Sequence, residues 1–399
     1  MQVFFYRIRQ FVFSRVLRLT ERHVPQRIVG AGARFRLPEL LKQAGLERIL
    51  FVTTAGFIRR GTLDSLLKTL QEQGLTVALF DDVTPDPTVE CVEQGTVQYR
   101  EHACQAIVAV GGGSVMDCAK AIGARIARPR RPVRRMRGML KVRRRIPPLY
   151  AVPTTAGTGS EVTAAAVITD TIQGTHYKYA VNDFCLIPKT AILDAELTLG
   201  LPPQLTAATG MDALTHAVEA YTNRFASRFV KQHAEMAVRM IFEALPKACR
   251  CGAEIEARET MLMASCYAGL AFTNNFVGYV HALAHAIGAL YGVPHGQANA
   301  VLLVPVLREY GSSVQKPLAA LAACIGVEAE PAEAARIMLE RIEALREEVG
   351  MPSRFPQLAA ADYPEIIRRA MREANPDYPV PAIWRAEAFE RVLRAVTEE

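Results

Sequence analysis

Four short apolar runs constrain this chain more than any other feature. They are "RILFVTT" ending at Thr54, "TVALF" ending at Phe80, "AIVAV" ending at Val110 and "LYAVPTT" ending at Thr155. Helix-length segments such as "TLDSLLKTLQEQG" lie between the early runs. Strands alternating with helices predict an open α/β sheet, mostly parallel. Ligands of such a sheet sit beyond the carboxyl ends of its strands. After about Leu201 the texture changes to long Ala-, Leu-, Met- and Glu-rich segments such as "FVKQHAEMAVRMIFEALPKAC", which predict helices to the C-terminus. A chain of 399 residues, half of them hydrophobic, has material for two cores. The expected organisation is an extension over 1–24, an α/β domain over 25–200 and a helical domain over 201–399. The cleft between domains is the default place for an active site.

The charge is unevenly spread. The run from Arg128 to Arg145, "RPRRPVRRMRGMLKVRRR", holds ten basic residues and no acidic one. Without it the chain carries −3, against +7 for the whole. The run lacks interleaved aromatic residues for stacking bases, so a solvated insertion is preferred to a nucleic-acid site. The eight cysteines are scattered and form no CxxC pair, which points to reduced, cytoplasmic protein. The N-terminus mixes Phe, Val and Leu with five arginines and has no uninterrupted apolar core. A helix or arm packed on the body or on a second subunit is the preferred reading. Peripheral membrane contact is the less favoured one.

Two loops have the makings of a cofactor site. "AIVAVGGGSVMDCAKAIG" is a strand, three glycines, a serine and a helix. Gly111, Gly112 and Gly113 let backbone approach a ligand, and the helix that follows offers unpaired N–H groups to a phosphate. The GxGxxG and Walker spacings are absent. Asp117 falls near the helix start, where it caps the turn or touches a ligand. "VPTTAGTGSEV" carries Thr154, Thr155, Thr158 and Ser160 around two glycines. A plain turn capped by Ser160 is the alternative there.

The histidines form the third constellation. Asp212 and His216 are four apart, so they share a helix face. His281 and His285 repeat that spacing, and His295 follows after "GVP". The helix should end near Gly292, leaving His295 on a loop stiffened by Pro294. One carboxylate and several imidazoles suit a borderline divalent metal. One of the three late histidines then stays unbound. Glu219, three residues after His216, is a supporting group or an ordinary ion-pair partner. His23, His102 and His233 read as ordinary packed histidines.

At these residues the chain resembles the iron-containing (group III) alcohol dehydrogenase family. The resemblance rests on "GGGSVMDCAKAIG", "PTTAGTGSEVTAAAVITD", "AILDAELTLGLPPQLTAATGMDALTHAVEAYT" and "VHALAHAIGALYGVPHG", and extends from about Pro25 to the C-terminus. It implies an α/β nucleotide-binding domain with a mostly parallel sheet, followed by an all-helical metal-binding domain. It implies that Asp212, His216, His281 and His295 hold Fe(2+) or Zn(2+), with His285 as the unligated catalytic histidine near nicotinamide and substrate. Gly112, Gly113 and Ser114 would receive the cofactor pyrophosphate. Asp117, Thr154, Thr155 and Thr158 would complete that pocket, with Lys178 near the nicotinamide ribose. NAD-preferring relatives often carry an aspartate where Thr54 stands here. A carboxylate there repels the extra phosphate of NADP, so NADP(H) or dual use with NAD(H) is expected.

The function so implied is a metal-dependent hydride transfer between a primary alcohol or aldehyde and a nicotinamide cofactor, with the metal polarising the substrate oxygen. Glycerol or polyol dehydrogenase and maleylacetate reductase are alternatives on the same scaffold. An inactive binding or surface-tethered protein, using the 128–145 run as its contact, is the alternative of another class. A homo-oligomer, dimer or larger, is expected.

Overall fold

The computed structural model describes residues 2–18, 21, 23–172 and 175–397. Residues 1, 19, 20 and 22 of the expected extension, and residues 173, 174, 398 and 399, lie outside the described residues. The chain divides into two compact units. One is His23–Gly200, and the other is Leu201–Glu399 together with Met1–Arg22. Among the described residues no helix is long and apolar enough to cross a membrane.

The His23–Gly200 unit is built on strands β1 (Gln26–Val29), β2 (Arg48–Val52), β3 (Thr76–Phe80), β4 (Ala106–Gly111), β5 (Gly138–Met139), β6 (Leu149–Pro153), β7 (Ala165–Ile172), β8 (Thr175–Asn182) and β9 (Thr190–Leu193). Six form one parallel sheet in the order β1-β9-β6-β4-β2-β3. Its central strands β2, β4 and β6 are covered on both faces, which is why they read as unbroken apolar runs. Successive side chains point to opposite faces. Leu50, Val52, Ile107 and Ala109 pack with Val115, Ala119 and Ile122 of the helix Gly113–Ala127. Ile49, Phe51, Val108 and Val110 pack with Leu37, Leu41, Leu66 and Leu70 from the helices Leu37–Gln43 and Asp64–Glu72. Each such Leu, Ile or Val side chain contributes roughly 1.5–3 kcal/mol by leaving water.

The basic run is anchored, not wholly solvated. Val133, Met136 and Val142 are buried in the same core as Ile107. Its strand β5 pairs in parallel with β8, which forms an antiparallel hairpin with β7. Asp183 accepts from the backbone N–H of Val142 (3.0 Å) and of Arg143 (2.9 Å). Arg131 turns back to donate to the Lys141 carbonyl at 2.8 Å. The exposed cations are Arg130, Arg134, Arg135, Arg137, Lys141 and Arg143–Arg145. Three apolar residues placed among the arginines fix the backbone of a segment whose composition alone reads as loop.

The second unit is helical. The helices Pro203–Thr222, Arg228–Arg250 and Ile255–Asn275 pack on one another, and Tyr279–Tyr291 packs on His295–Tyr310 and Tyr363–Ala374. Ser227 caps the Arg228–Arg250 helix, its hydroxyl accepting from Val230 N–H at 3.2 Å. The N-terminal helix Gln2–Leu17 lies on this unit, where Arg7 and Gln10 donate to backbone carbonyls in the Pro376–Pro381 segment.

Candidate metal centre and nucleotide loops

The helix Pro203–Thr222 carries Asp212, His216 and Glu219 on buried positions one turn apart. The helix Tyr279–Tyr291 carries His281 and His285. That helix stops where Gly292 takes a left-handed conformation (φ 68°). Pro294 then opens the next helix, His295–Tyr310. His295 is therefore the first residue of a helix and not a loop residue. The apolar periodicity of "ANAVLLVPVL" drives that helix, and Pro294 supplies its fixed φ of −56° at the N-cap. Gly296 makes the approach feasible, because a Cβ there would lie 2.2 Å from the Ala208 carbonyl oxygen on the Asp212 helix.

These elements bring three candidate ligands together, one carboxylate and two imidazoles. One ligand atom each from Asp212, His216 and His281 lies within 4.8 Å of the others, and all three residues are buried. His295 Nε2 stands 3.4 Å from Asp212 Oδ1, and His281 Nε2 stands 3.6 Å from the same oxygen. The His216 ring stacks between Phe272 (4.2 Å) and His281 (4.4 Å). Glu219 supports the set: its Oε2 accepts from His281 Nδ1 at 2.6 Å and its Oε1 from Val280 N–H at 2.8 Å.

Two buried carboxylates here face groups that can supply positive charge. Burial opposes ionisation of Asp212, yet the surrounding His216, His295 and His281 hold its carboxyl well below the usual range. Burial pushes the His281 imidazole down, but hydrogen bonds to Asp212 and Glu219 bring it up to about 9. Asn299 adds a donor at the centre. Its Nδ2 lies 2.7 Å from Asp212 Oδ1, 3.2 Å from His281 Nε2 and 3.2 Å from His295 Nε2. One amide nitrogen thus faces three of these atoms, and a carboxylate with several imidazoles is a set that suits a borderline divalent cation once the imidazoles are deprotonated.

His285 lies apart from the mutual ligand group. Its Nδ1 pairs with Glu373 Oε1 at 2.7 Å, and Tyr378 donates to the same oxygen at 2.9 Å. Its ring stacks on His295 at 5.0 Å. Asn299, Glu373 and Tyr378 were missed in the sequence. Asn299 carries a signal in retrospect, being four residues after His295 on one helix. Glu373 carries none, because it reaches His285 from 88 residues away.

In the His23–Gly200 unit the two expected loops are neighbours. Gly112 caps the helix Gly113–Ala127, and Ser114 falls in its first turn. A Cβ on Gly113 would meet Thr158 Cγ2 at 2.8 Å, and one on Gly112 would meet Thr155 Oγ1 at 3.4 Å. Thr154 is buried and its N–H donates to Gly111 O at 3.0 Å. Asp117 has its carboxylate engaged inside the protein: Oδ1 accepts from Ser160 Oγ at 2.8 Å and Oδ2 from Val167 N–H at 2.9 Å. The fully buried Lys120, also missed, donates to Ser160 Oγ (2.9 Å), Thr163 Oγ1 (2.8 Å) and Ala165 O (2.9 Å). Together they tie the second loop to the glycine-turn helix. Thr54 stands just before the short helix Ala55–Arg59 without a side-chain capping hydrogen bond, and forms an isolated bridge with Asp82. Lys178 pairs with Asp86 at 2.7 Å.

Comparison with known proteins covers both units. The family described as iron-containing alcohol dehydrogenase matches residues 25–195, and the C-terminal region of the same family matches 206–396. Alcohol dehydrogenase 4 of Schizosaccharomyces pombe is 38% identical over 93% of this chain and 88% of its own. The 1,3-propanediol dehydrogenase of Klebsiella pneumoniae is 39% identical over 83% of this chain and 87% of its own. The NAD-dependent methanol dehydrogenase of Bacillus methanolicus is 37% identical over 85% and 89%. A crystal structure of 1,3-propanediol oxidoreductase superposes with a TM-score of 0.89 at 36% identity, covering 93% of this chain and 98% of that one.

Proposed function

The chain belongs to the iron-containing alcohol dehydrogenase family, metal-dependent NAD(P)-linked oxidoreductases of alcohols and aldehydes, and from that membership we propose that it interconverts a small primary alcohol and its aldehyde. The observation that carries the reading is the buried Asp212–His216–His281 group with Glu219 behind it. Two of the relatives above are named for methanol and 1,3-propanediol, both primary alcohols, which supports the substrate class. A buried ligand group of this kind also stands against an inactive, merely tethered protein.

Asp212, His216, His281 and His295 would hold the ion, Fe(2+) or Zn(2+). When bound, the ion supplies Lewis acidity to the substrate oxygen and the nicotinamide supplies hydride chemistry. The chain's own side chains do the rest. Glu219 accepts the Nδ1 proton of His281, which turns Nε2 toward Asp212. Asp212 keeps a negative charge inside the protein to balance a cation. His285 is the proposed proton-handling residue. Glu373 fixes the proton on its Nδ1, so that Nε2 is the nitrogen available for exchange. Tyr378 orients Glu373 in turn.

Gly112, Gly113 and Ser114 offer the N-terminus of the Gly113–Ala127 helix to a pyrophosphate. The hydroxyls of Thr155 and Thr158 stand beside it, while Asp117 acts through Ser160 on the shape of the loop. Thr54 leaves room for NADP(H) as well as NAD(H).

The test is His281→Ala, read by metal content and by oxidation of NADPH or NADH with a panel of aldehydes. Metal and turnover are expected to fall together. Full turnover in metal-free variant protein would sink the proposal, as would no turnover of any aldehyde by the metal-loaded parent.

A further inference from the structure

The Gln2–Leu17 helix is mounted with its polar face inward. Gln10 and Ser14 are 1% and 5% exposed. Gln10 Nε2 donates to the carbonyls of Pro376 (3.0 Å) and Tyr378 (2.8 Å), and Arg7 to those of Val380 (2.7 Å) and Pro381 (3.1 Å). The apolar face points away from the protein. Phe4 is 65% exposed, Phe5 59% and Val12 55%, with Ile8 exposed on the same stripe, while Phe11, partly exposed, meets the Phe225 ring edge-on at 5.7 Å. Spacings of three and four residues put positions 4, 8, 11 and 12 on one face, with 5 beside them. A contiguous exposed patch of large apolar side chains marks an interaction surface.

Charge selects the occupant. Residues 2–17 contain Arg7, Arg9 and Arg15 and no acidic residue, and Arg18 follows. Arg15 and Arg18 are exposed, and the Arg15 guanidinium lies over the Phe11 ring, 4.7 Å from its centroid, on the same face at the C-terminal end of the apolar stripe. Arg9 is already paired with Asp377 at 2.8 Å. A second copy of this face would set arginines against arginines, with no carboxylate on either helix to pair them. An anionic bilayer surface supplies hydrocarbon for the phenylalanines and negative charge for the arginines.

We propose that the Gln2–Leu17 helix docks this protein on an anionic lipid surface. Phe4, Phe5, Ile8 and Val12 enter the boundary between headgroups and acyl chains, and Arg15 and Arg18 meet the lipid phosphates. The contact is peripheral, because a 16-residue helix interrupted by arginines is too short and too charged to span. The docking is independent of the dehydrogenase reading.

The experiment is co-sedimentation of the full chain with vesicles of phosphatidylcholine alone and of phosphatidylcholine mixed with phosphatidylglycerol. The expected result is binding to the mixed vesicles that weakens as salt rises. The triple variant Phe4→Ser, Phe5→Ser, Val12→Ser should lose about tenfold or more in vesicle partition, since each change removes apolar area from the contact. It should keep the parent's thermal unfolding temperature and turnover, since all three side chains face solvent. No binding to the mixed vesicles overturns the proposal, as does equal binding to both vesicle types or unchanged binding by the variant. Self-association of the parent in lipid-free buffer that the variant abolishes also overturns it, assigning the face to a second copy.

Discussion

At Glu219 one carboxylate receives two donors, Val280 N–H and His281 Nδ1–H, in a buried position. Glutamine can accept only one of them and must turn its own N–H₂ toward the other. Glu219→Gln is therefore expected to weaken metal binding by about 10- to 100-fold, measured by competition with a chromophoric chelator, with the fold retained by circular dichroism. Thr54 poses a different residue-scale question. On the proposal that Thr54 faces the adenosine ribose, Thr54→Asp would set a carboxylate against the 2′-phosphate of NADP. The expected outcome is a fall of about tenfold or more in kcat/KM for NADPH, with kcat/KM for NADH kept, which corresponds to about 1.4 kcal/mol of selective repulsion. Equal losses with both cofactors would show that Thr54 does not face the adenosine ribose.

At the scale of elements, the metal group depends on how closely two helices pass. The first turn of His295–Tyr310 lies against the Asp212 helix at Gly296, and the atom facing a new Cβ is backbone, which no rotamer change can move. Gly296→Ala is expected to cost about 1–3 kcal/mol of stability by forcing the helices apart. Bound metal should fall with it, because His295 moves with its helix. Thermal unfolding and metal analysis on the same sample check both. The loops of the α/β unit rest on a comparable device. Lys120, Ser160 and Asp117 lock the Thr154–Thr158 loop to the glycine-turn helix.

For the molecule as a whole, pH acts on the His23–Gly200 unit through a buried pair. Burial pushes Glu161 up to about 7 from its ordinary 4.5, and pushes Lys120 down to about 8 from 10.5. A carboxyl raised in the folded state stabilises it fully below about 4.5, and that contribution is lost as pH rises through about 7. A lysine lowered in the folded state stabilises it fully above about 10.5, and that contribution is lost as pH falls through about 8. Stability of this unit should therefore decline from pH 4.5 to 7 and recover above 8. Glu161→Gln should lessen the decline on the acid side, to which Asp117, also raised by burial, adds a part of the same sign, as read by unfolding temperature across that range. A decline of the same slope in the variant would assign it to other groups.

What the sequence determined is what local chemistry can write. The parallel sheet was legible in "RILFV", "AIVAV" and "LYAVP" because strands buried on both faces must be apolar throughout. The pairing of Asp212 with His216 was legible because helical spacing of four is a local property. The helix end at Gly292 was legible because glycine tolerates a left-handed cap. Tertiary structure decided the rest. Only packing placed His295 at the head of a helix, brought the Asn299 amide against Asp212, His281 and His295, and carried Glu373 to His285 across the chain. Only packing turned Asp117 inward to Ser160, and buried Val133, Met136 and Val142 beneath a run of arginines. The Gln2–Leu17 helix shows the division most plainly. Its composition gives both phenylalanines and arginines, but which face turns outward was set by carbonyls at Pro376–Pro381, hundreds of residues away, that needed the donors of Arg7 and Gln10.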